Sequence, residues 1–181
     1  MRPAVFLDRD GILNKVIVRN GQKGSPRTVE EFELLPGVAS AVAMLRRAGL
    51  LVVVVTNQPD VARGFLTAAE LERIHECLRS LVSVDAIYAC AHDDNDECMC
   101  RKPKPGLLLQ AAEELNIAIT ISYLVGDSWK DIQAGRKAGC KTFLVKTADN
   151  ISTDSDADFV VSNLWAAVDM IAAKHARELE N

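Results

Sequence analysis

No stretch of this chain approaches the roughly 20 consecutive apolar residues that a bilayer-spanning helix needs. No leader is expected either: Met1-Arg2-Pro3 runs into a short apolar strand ending in Asp8-Arg9-Asp10, too short and too soon charged for a signal peptide. A cytoplasmic protein without a membrane partner is therefore expected. Basic charge is not in excess, since 21 Lys and Arg stand against 25 Asp and Glu for a net charge of −4. That balance argues against nucleic acid as the main partner, while leaving room for a local basic pocket. No repeat, linker or compositional break divides the 181 residues. Residues 1–181 are expected to form one domain, and the chain to be a monomer. The five cysteines are an odd number, which fits a reducing compartment, and three of them cluster with a histidine. Clustered cysteines in a cytosolic protein favour a metal over disulfides.

Short apolar runs alternate with helix-like segments. Strands are expected at Ala4–Leu7, Leu50–Val55, Ala86–Ala89, Tyr123–Val125 and Thr142–Val145, with an edge strand at Phe159–Val161. Val38, Ala41, Val42 and Leu45 recur at helical spacing before Gly49, and Thr67-Ala-Ala-Glu70 is a capping-box sequence for a helix reaching Leu81. Further helices are expected from Pro105 to Leu115, from Asp131 to Ala138, and after Asn163, with Leu164, Val168, Ile171 and His175 on the last one's inner face. This alternation predicts an α/β fold, an open, doubly wound, Rossmann-like parallel sheet with helices on both faces. In such sheets chemistry gathers beyond the carboxyl ends of the strands, and the polar clusters of this sequence fall there. The stretch from Asn14 to Thr28, with Gly21, Gly24 and Pro26, reads as a turn-rich flap. His75 is expected on a helix surface, and Cys77 and Cys140 as packing residues.

Asp8 and Asp10 flank Arg9 where the first strand ends. A carboxylate can attack phosphorus and hold the phosphoryl group as an acyl phosphate. A second carboxyl nearby can protonate the leaving oxygen and then deprotonate water. Thr56-Asn57-Gln58 follows the most apolar strand and offers donors to phosphate oxygens, although it equally suits an ordinary turn. Lys102, in Arg101-Lys-Pro-Lys-Pro-Gly106, can supply positive charge to a transferring phosphoryl group. Asp127 and Asp131, within Gly126-Asp-Ser-Trp-Lys-Asp131, are placed between a strand and a helix. Asp127 could complete a magnesium site with Asp8, and Asp131 could instead cap the helix.

In this order, each after a successive strand, these segments resemble the haloacid dehalogenase superfamily of phosphatases, and Gly135-Arg-Lys-Ala-Gly139 is similar to that family's last motif. The resemblance implies a magnesium-dependent phosphomonoesterase with Asp8 as nucleophile and Asp10 as general acid and base. It implies Thr56 and Lys102 as phosphoryl stabilisers and Asp131 as a supporting acid. It implies Asp8, the main-chain carbonyl of Asp10 and Asp127 as magnesium ligands. The gaps between motifs leave no room for a cap domain, so the flap and the cysteine loop are expected to shape an open site.

Cys90-Ala-His92 and Cys98-Met-Cys100 offer three thiolates and one imidazole, a set that suits tetrahedral, structural zinc. Such a loop running into Arg-Lys-Pro resembles a narrower group, the heptose 1,7-bisphosphate 7-phosphatases and histidinol-phosphate phosphatases. Val61-Ala-Arg-Gly64 is more similar to the heptose enzymes and the short spacer between the cysteine pairs to the histidinol enzymes, while Pro59-Asp60 departs from both. The heptose reading is favoured because Arg63 and Arg101 supply two guanidinium groups for a second phosphate. Asn14, Asn57 and Gln58 are expected as further contacts to a small sugar phosphate. Histidinol phosphate is the rival substrate. The same residues also leave open a nucleic-acid end phosphatase and, from a different class, a non-catalytic zinc-binding interaction module.

Overall fold

The computed structural model describes residues 1–147 and 156–179. Strand β1 (Ala4–Leu7) leads into a hairpin of β2 (Ile17–Arg19) and β3 (Gln22–Gly24), then helix α1 (Val38–Arg47) and strand β4 (Leu51–Asn57). Helix α2 (Ala68–Leu81), strand β5 (Ala86–Cys90), helix α3 (Gly106–Glu114) and strand β6 (Tyr123–Gly126) follow. Helix α4 (Trp129–Ala138), strands β7 (Lys141–Val145) and β8 (Phe159–Val161), and helix α5 (Leu164–Leu179) complete the order. Six strands pair in parallel as β5-β4-β1-β6-β7-β8, so the chain winds one way from β1 and then returns to wind the other. No inserted cap domain lies among the described residues.

Successive side chains of a strand point to opposite faces, and both faces here are apolar. Val5, Leu7, Val52, Val54, Tyr123 and Val125 pack with α1, α2 and α5 through Leu45, Ile74, Leu78, Val168 and Ile171. Ala4, Phe6, Val53, Val55 and Leu124 pack with α3 and α4 through Leu108, Ala111 and Ala134. Two cores therefore clamp the sheet and fix β1 beside β4 and β6, Leu7 lying opposite Val54 and Val125. That register aligns the strand ends that carry the site.

The structure differs from the sequence reading at several boundaries. Strand β4 runs two residues further than expected and carries Thr56 and Asn57 within it. Helix α4 starts at Trp129 because Ser128, not Asp131, is its N-cap, while Asp131 closes the capping box at the third helical position. The flap is an antiparallel hairpin turned by Asn20 and Gly21, both with positive φ (51° and 77°), as a two-residue Asn-Gly turn requires. His75 is buried, not on the surface, because α2 turns Leu71, Ile74, His75 and Leu78 inward as one stripe.

Candidate active site

Three strand ends meet at the floor of the site. Asp8 leaves β1 with its N–H donating to the Val125 carbonyl at 3.0 Å, which ties it to the end of β6. The chain then turns at Gly11, whose φ of +88° and whose position both exclude a side chain: a Cβ there would lie 2.3 Å from Asp127 Oδ2. Gly126 is equally constrained, since a Cβ would lie 2.3 Å from that of Asp131. One carboxylate oxygen each from Asp8, Asp127 and Asp131 falls within a 4.8 Å cluster.

Lys102 enters this cluster from the loop beyond β5. Its Nζ donates to Asp8 Oδ1 at 2.7 Å, Asp131 Oδ1 at 2.5 Å and the Val55 carbonyl at 2.9 Å, so each ammonium proton has an acceptor. The Lys102–Pro103 peptide is cis. Asn57 holds the lysine backbone from both sides, its Oδ1 accepting from Lys102 N–H and its Nδ2 donating to Lys102 C=O. Asp131 divides its two oxygens, one for Lys102 and the other accepting from the backbone and hydroxyl of Ser128. It is thus both the capping-box partner of Ser128 and the partner of Lys102.

Burial pushes the Asp8 carboxyl up to about 8, with Asp131 and Asp127 adding to the rise and Lys102 opposing it. Burial and Asp131 likewise push Asp127 up to about 6. Burial works against the Lys102 charge, but Asp131 and Asp8 more than reverse it and hold the lysine above its ordinary range. One ammonium therefore leaves negative charge unbalanced in a dry cluster of oxygen donors. That is the environment a magnesium ion fits, with Asp8 and Asp127 to hold it.

Asp10 sits beside this cluster in a separate cradle. Burial alone would raise its pKa. Arg9, Asn14, Ser25 and Gln58 instead hold it below the usual carboxylate range. Arg9 Nη2 lies 3.1 Å from both carboxylate oxygens, and Asn14 Nδ2, Ser25 Oγ and Gln58 Nε2 donate at 2.9, 2.8 and 2.8 Å. Three residues expected as substrate contacts are engaged with other groups of the chain. Asn14 and Gln58 are fully buried, do not line the cavity, and donate to Asp10. Asn57 lines the cavity, but its amide engages the Lys102 main chain. Two partners escape the sequence reading. Arg9 resembles a solvated loop arginine yet is 0% exposed, and Ser25 lies in a stretch read only as flap. The Gln58 amide also donates to Thr56 Oγ1 at 2.8 Å, which leaves the threonine hydroxyl proton for another acceptor in the cavity.

A cavity of about 470 Å³ opens above the floor. Asp8, Asp10, Thr56, Lys102, Asp127 and Asp131 line its base, and Arg63 and Arg101 its rim. The hairpin adds Arg19, Lys23 and Ser25, with Arg27 just beyond it. Seven cationic side chains line it against five carboxylates, so an acidic chain carries a locally basic pocket. Arg63 and Arg101 both reach the cavity, each already paired with an acid of the cysteine loop.

In that loop Cys90, His92, Cys98 and Cys100 place one donor atom each within 4.8 Å of all the others. Cys90 Sγ lies 2.9 Å from Cys100 Sγ and 3.6 Å from Cys98 Sγ, and His92 Nδ1 3.2 Å from Cys100 Sγ. Three sulfurs and one imidazole nitrogen converging with no carboxylate fit a closed zinc site. Burial raises the Cys90 thiol, so a cation is what would hold it as thiolate. Cys77 and Cys140 stand apart as free thiols, Cys140 in the core.

Comparison with known proteins agrees with this geometry. Residues 99–167 match the family model described as HAD-hyrolase-like. D-glycero-beta-D-manno-heptose-1,7-bisphosphate 7-phosphatase of Pasteurella multocida is 38% identical over 178 residues, covering 91% of this chain and 94% of that protein. The protein of the same name from Escherichia coli K12 is 38% identical over 177 residues, covering 90% of each. The crystal structure of D,D-heptose 1,7-bisphosphate phosphatase from B. bronchiseptica, complexed with magnesium and phosphate, superposes with a TM-score of 0.83 at 32% identity, covering 96% of this chain and 99% of that one. The chain belongs to this haloacid dehalogenase-like family of heptose-bisphosphate phosphatases.

Proposed function

We propose that this chain removes the 7-phosphate of D-glycero-D-manno-heptose 1,7-bisphosphate through a phosphoryl intermediate on Asp8. The observation that carries the reading is Lys102 Nζ, 2.7 Å from Asp8 Oδ1 and 2.5 Å from Asp131 Oδ1 at the base of a cationic cavity. The names of the relatives support the substrate. Two guanidinium groups at the rim suit a second, uncleaved phosphate.

In this reading an Asp8 carboxylate oxygen attacks phosphorus, and the P–O bond to the sugar breaks as Asp10 gives that oxygen a proton. Asp10 then takes a proton from water, whose oxygen attacks phosphorus and frees the Asp8 carboxylate and inorganic phosphate. Lys102 and the Thr56 hydroxyl donate to the equatorial phosphoryl oxygens, and Asp131 holds the lysine in place. Asp8, Asp127 and the Asp10 main-chain carbonyl would hold a magnesium ion, which would supply positive charge against the same oxygens. The Asp10 cradle favours the ionised form that the second step needs. An arriving phosphate dianion raises the proton affinity of Asp10 for the first step.

Residues 1–181 are proposed as one monomeric, cytoplasmic catalytic domain without nucleic-acid or membrane partners; no described helix is long and apolar enough to cross a membrane. A turnover panel of heptose bisphosphate, histidinol phosphate and a 3′-phosphorylated oligonucleotide, with magnesium, tests the substrate. Heptose bisphosphate is expected to lead by kcat/KM. Preference for histidinol phosphate or the oligonucleotide would refute it, and no magnesium-dependent phosphate release from any of them would point to a non-catalytic module.

A further inference from the structure

We propose that Asp93 and Asp94 are positioning residues that aim Arg63 and Arg101 into the cavity to receive the phosphate that is not cleaved. The inference rests on the bisphosphate reading above and adds how the chain achieves selectivity. Arg63 and Arg101 line the cavity, whereas Asp93 and Asp94 do not. The two acids therefore stand behind the guanidinium groups. Asp93 accepts from Arg63 Nε at 2.8 Å and from Nη2 at 2.6 Å. Asp94 accepts from Arg101 Nε at 2.7 Å, and the His92 carbonyl accepts from Arg101 Nη1 at 3.3 Å. A guanidinium held along one edge presents its remaining N–H groups in a fixed plane, which suits paired recognition of phosphate oxygens.

The backing acids are themselves fixed. Asp93 follows the cluster residue His92 directly, and Arg101 follows Cys100. The Asp93 and Asp96 carboxylates cap the Asp94–Asp96 turn reciprocally, with Asp96 Oδ2 accepting from Asp93 N–H at 2.7 Å. Arg27 offers the contrast. Its partner Asp60 lines the cavity itself, and although Asp60 Oδ1 also lies 3.9 Å from Arg63 Nη1, the two short bonds that hold Arg63 come from Asp93, outside the cavity lining. Ordering two long side chains before the ligand arrives removes a cost of binding, and for two arginines that is worth roughly tenfold in affinity. Simple charge neutralisation makes the opposite prediction, because deleting an acid would then draw the anion in more tightly.

The test compares wild type with Asp94→Ala and Asp93→Ala on the heptose 1,7-bisphosphate and on the same heptose carrying only the 7-phosphate. Each variant frees one of the two arginines, so the ratio of kcat/KM for bisphosphate over monophosphate should fall about threefold in each, with the change in KM rather than kcat, and Asp94→Glu should restore part of it. Calorimetric titration of the bisphosphate into Asp8→Asn with and without Asp94→Ala should show the same weakening without turnover. Asp93→Ala also removes a turn cap; Asp94 caps nothing, so its variant keeps the test decisive. An unchanged or increased ratio, with wild type turning over the bisphosphate, would overturn the positioning role alone. Failure of wild type to prefer the bisphosphate would overturn the functional reading beneath it as well.

Discussion

At the floor of the cavity the Lys102, Asp131 and Asp8 side chains are 3%, 1% and 13% exposed, while above it Arg63 is 39% and Arg101 11% exposed, backed by Asp93 and Asp94 at 27% and 65%. Both regions pair acids with bases, but the same pairing has different consequences. Buried charges without partners are costly, so the floor is a closed set in which each group sets its neighbours' ionisation. Exposed pairs add little stability, so the rim's value lies in where it points its guanidinium groups. In the proposed reading chemistry resides at the floor and substrate selection with the arginines above it. Substitutions at the floor should change kcat, and substitutions at the rim should change KM.

The strongest way to break that division is Asp8→Asn, expected to lower turnover by at least about 10⁴-fold while leaving the circular dichroism spectrum intact. Retained activity within about tenfold would remove Asp8 as nucleophile. Lys102→Ala should reduce kcat by about 10²–10³-fold. It should also cost about 3–5 kcal/mol of stability in urea denaturation, because two buried carboxylates lose their cation. Cys98→Ser should abolish zinc binding by elemental analysis and lower Tm by roughly 5–10 °C, as loss of a structural metal worth a few kcal/mol implies. Its kinetic damage should fall on selectivity between substrates more than on release of phosphate from a small aryl ester. Ser25→Ala should reduce kcat about threefold to tenfold by removing one donor from the Asp10 cradle.

Ionisation at the floor gives a pH signature. Asp8 and Asp127 are raised to about 8 and about 6, so the metal-free native state holds protons that the unfolded chain has lost above about pH 4. Stability of the metal-free protein should therefore fall as pH rises from about 4 to 8. Magnesium binding displaces the same protons, so its apparent affinity should tighten from about pH 6 to pH 8. Magnesium titrations across that range, followed by Tm, check both signs.

The floor is legible in the sequence because its residues sit at the ends of apolar strands, and parallel register alone brings such ends together. Asp8, Thr56 and Asp127 converge in that way, while Lys102 arrives from the loop beyond β5 and Asp131 from the first turn of α4. Asn14 and Gln58 read as substrate contacts because residue type does not reveal which side of a turn faces the cavity. Arg9 gives no signal because an arginine between two aspartates reads as solvated, and only the tight turn at Gly11 folds it beneath Asp10. The hairpin and the burial of His75 are within reach of the sequence, through Asn20-Gly21 and the helical spacing of Leu71, Ile74, His75 and Leu78. The Arg63–Asp93 and Arg101–Asp94 pairs span 30 and 7 positions, so side-chain packing alone discloses them.

The central claim is that the phosphoryl group passes through Asp8. Acid quenching of wild-type protein during turnover of heptose bisphosphate, followed by mass spectrometry of its peptides, measures this directly. A phosphoryl adduct should appear on the peptide containing Asp8 within the first turnover and decay as substrate is exhausted. Steady phosphate release with no adduct on that peptide at any quench time would contradict it.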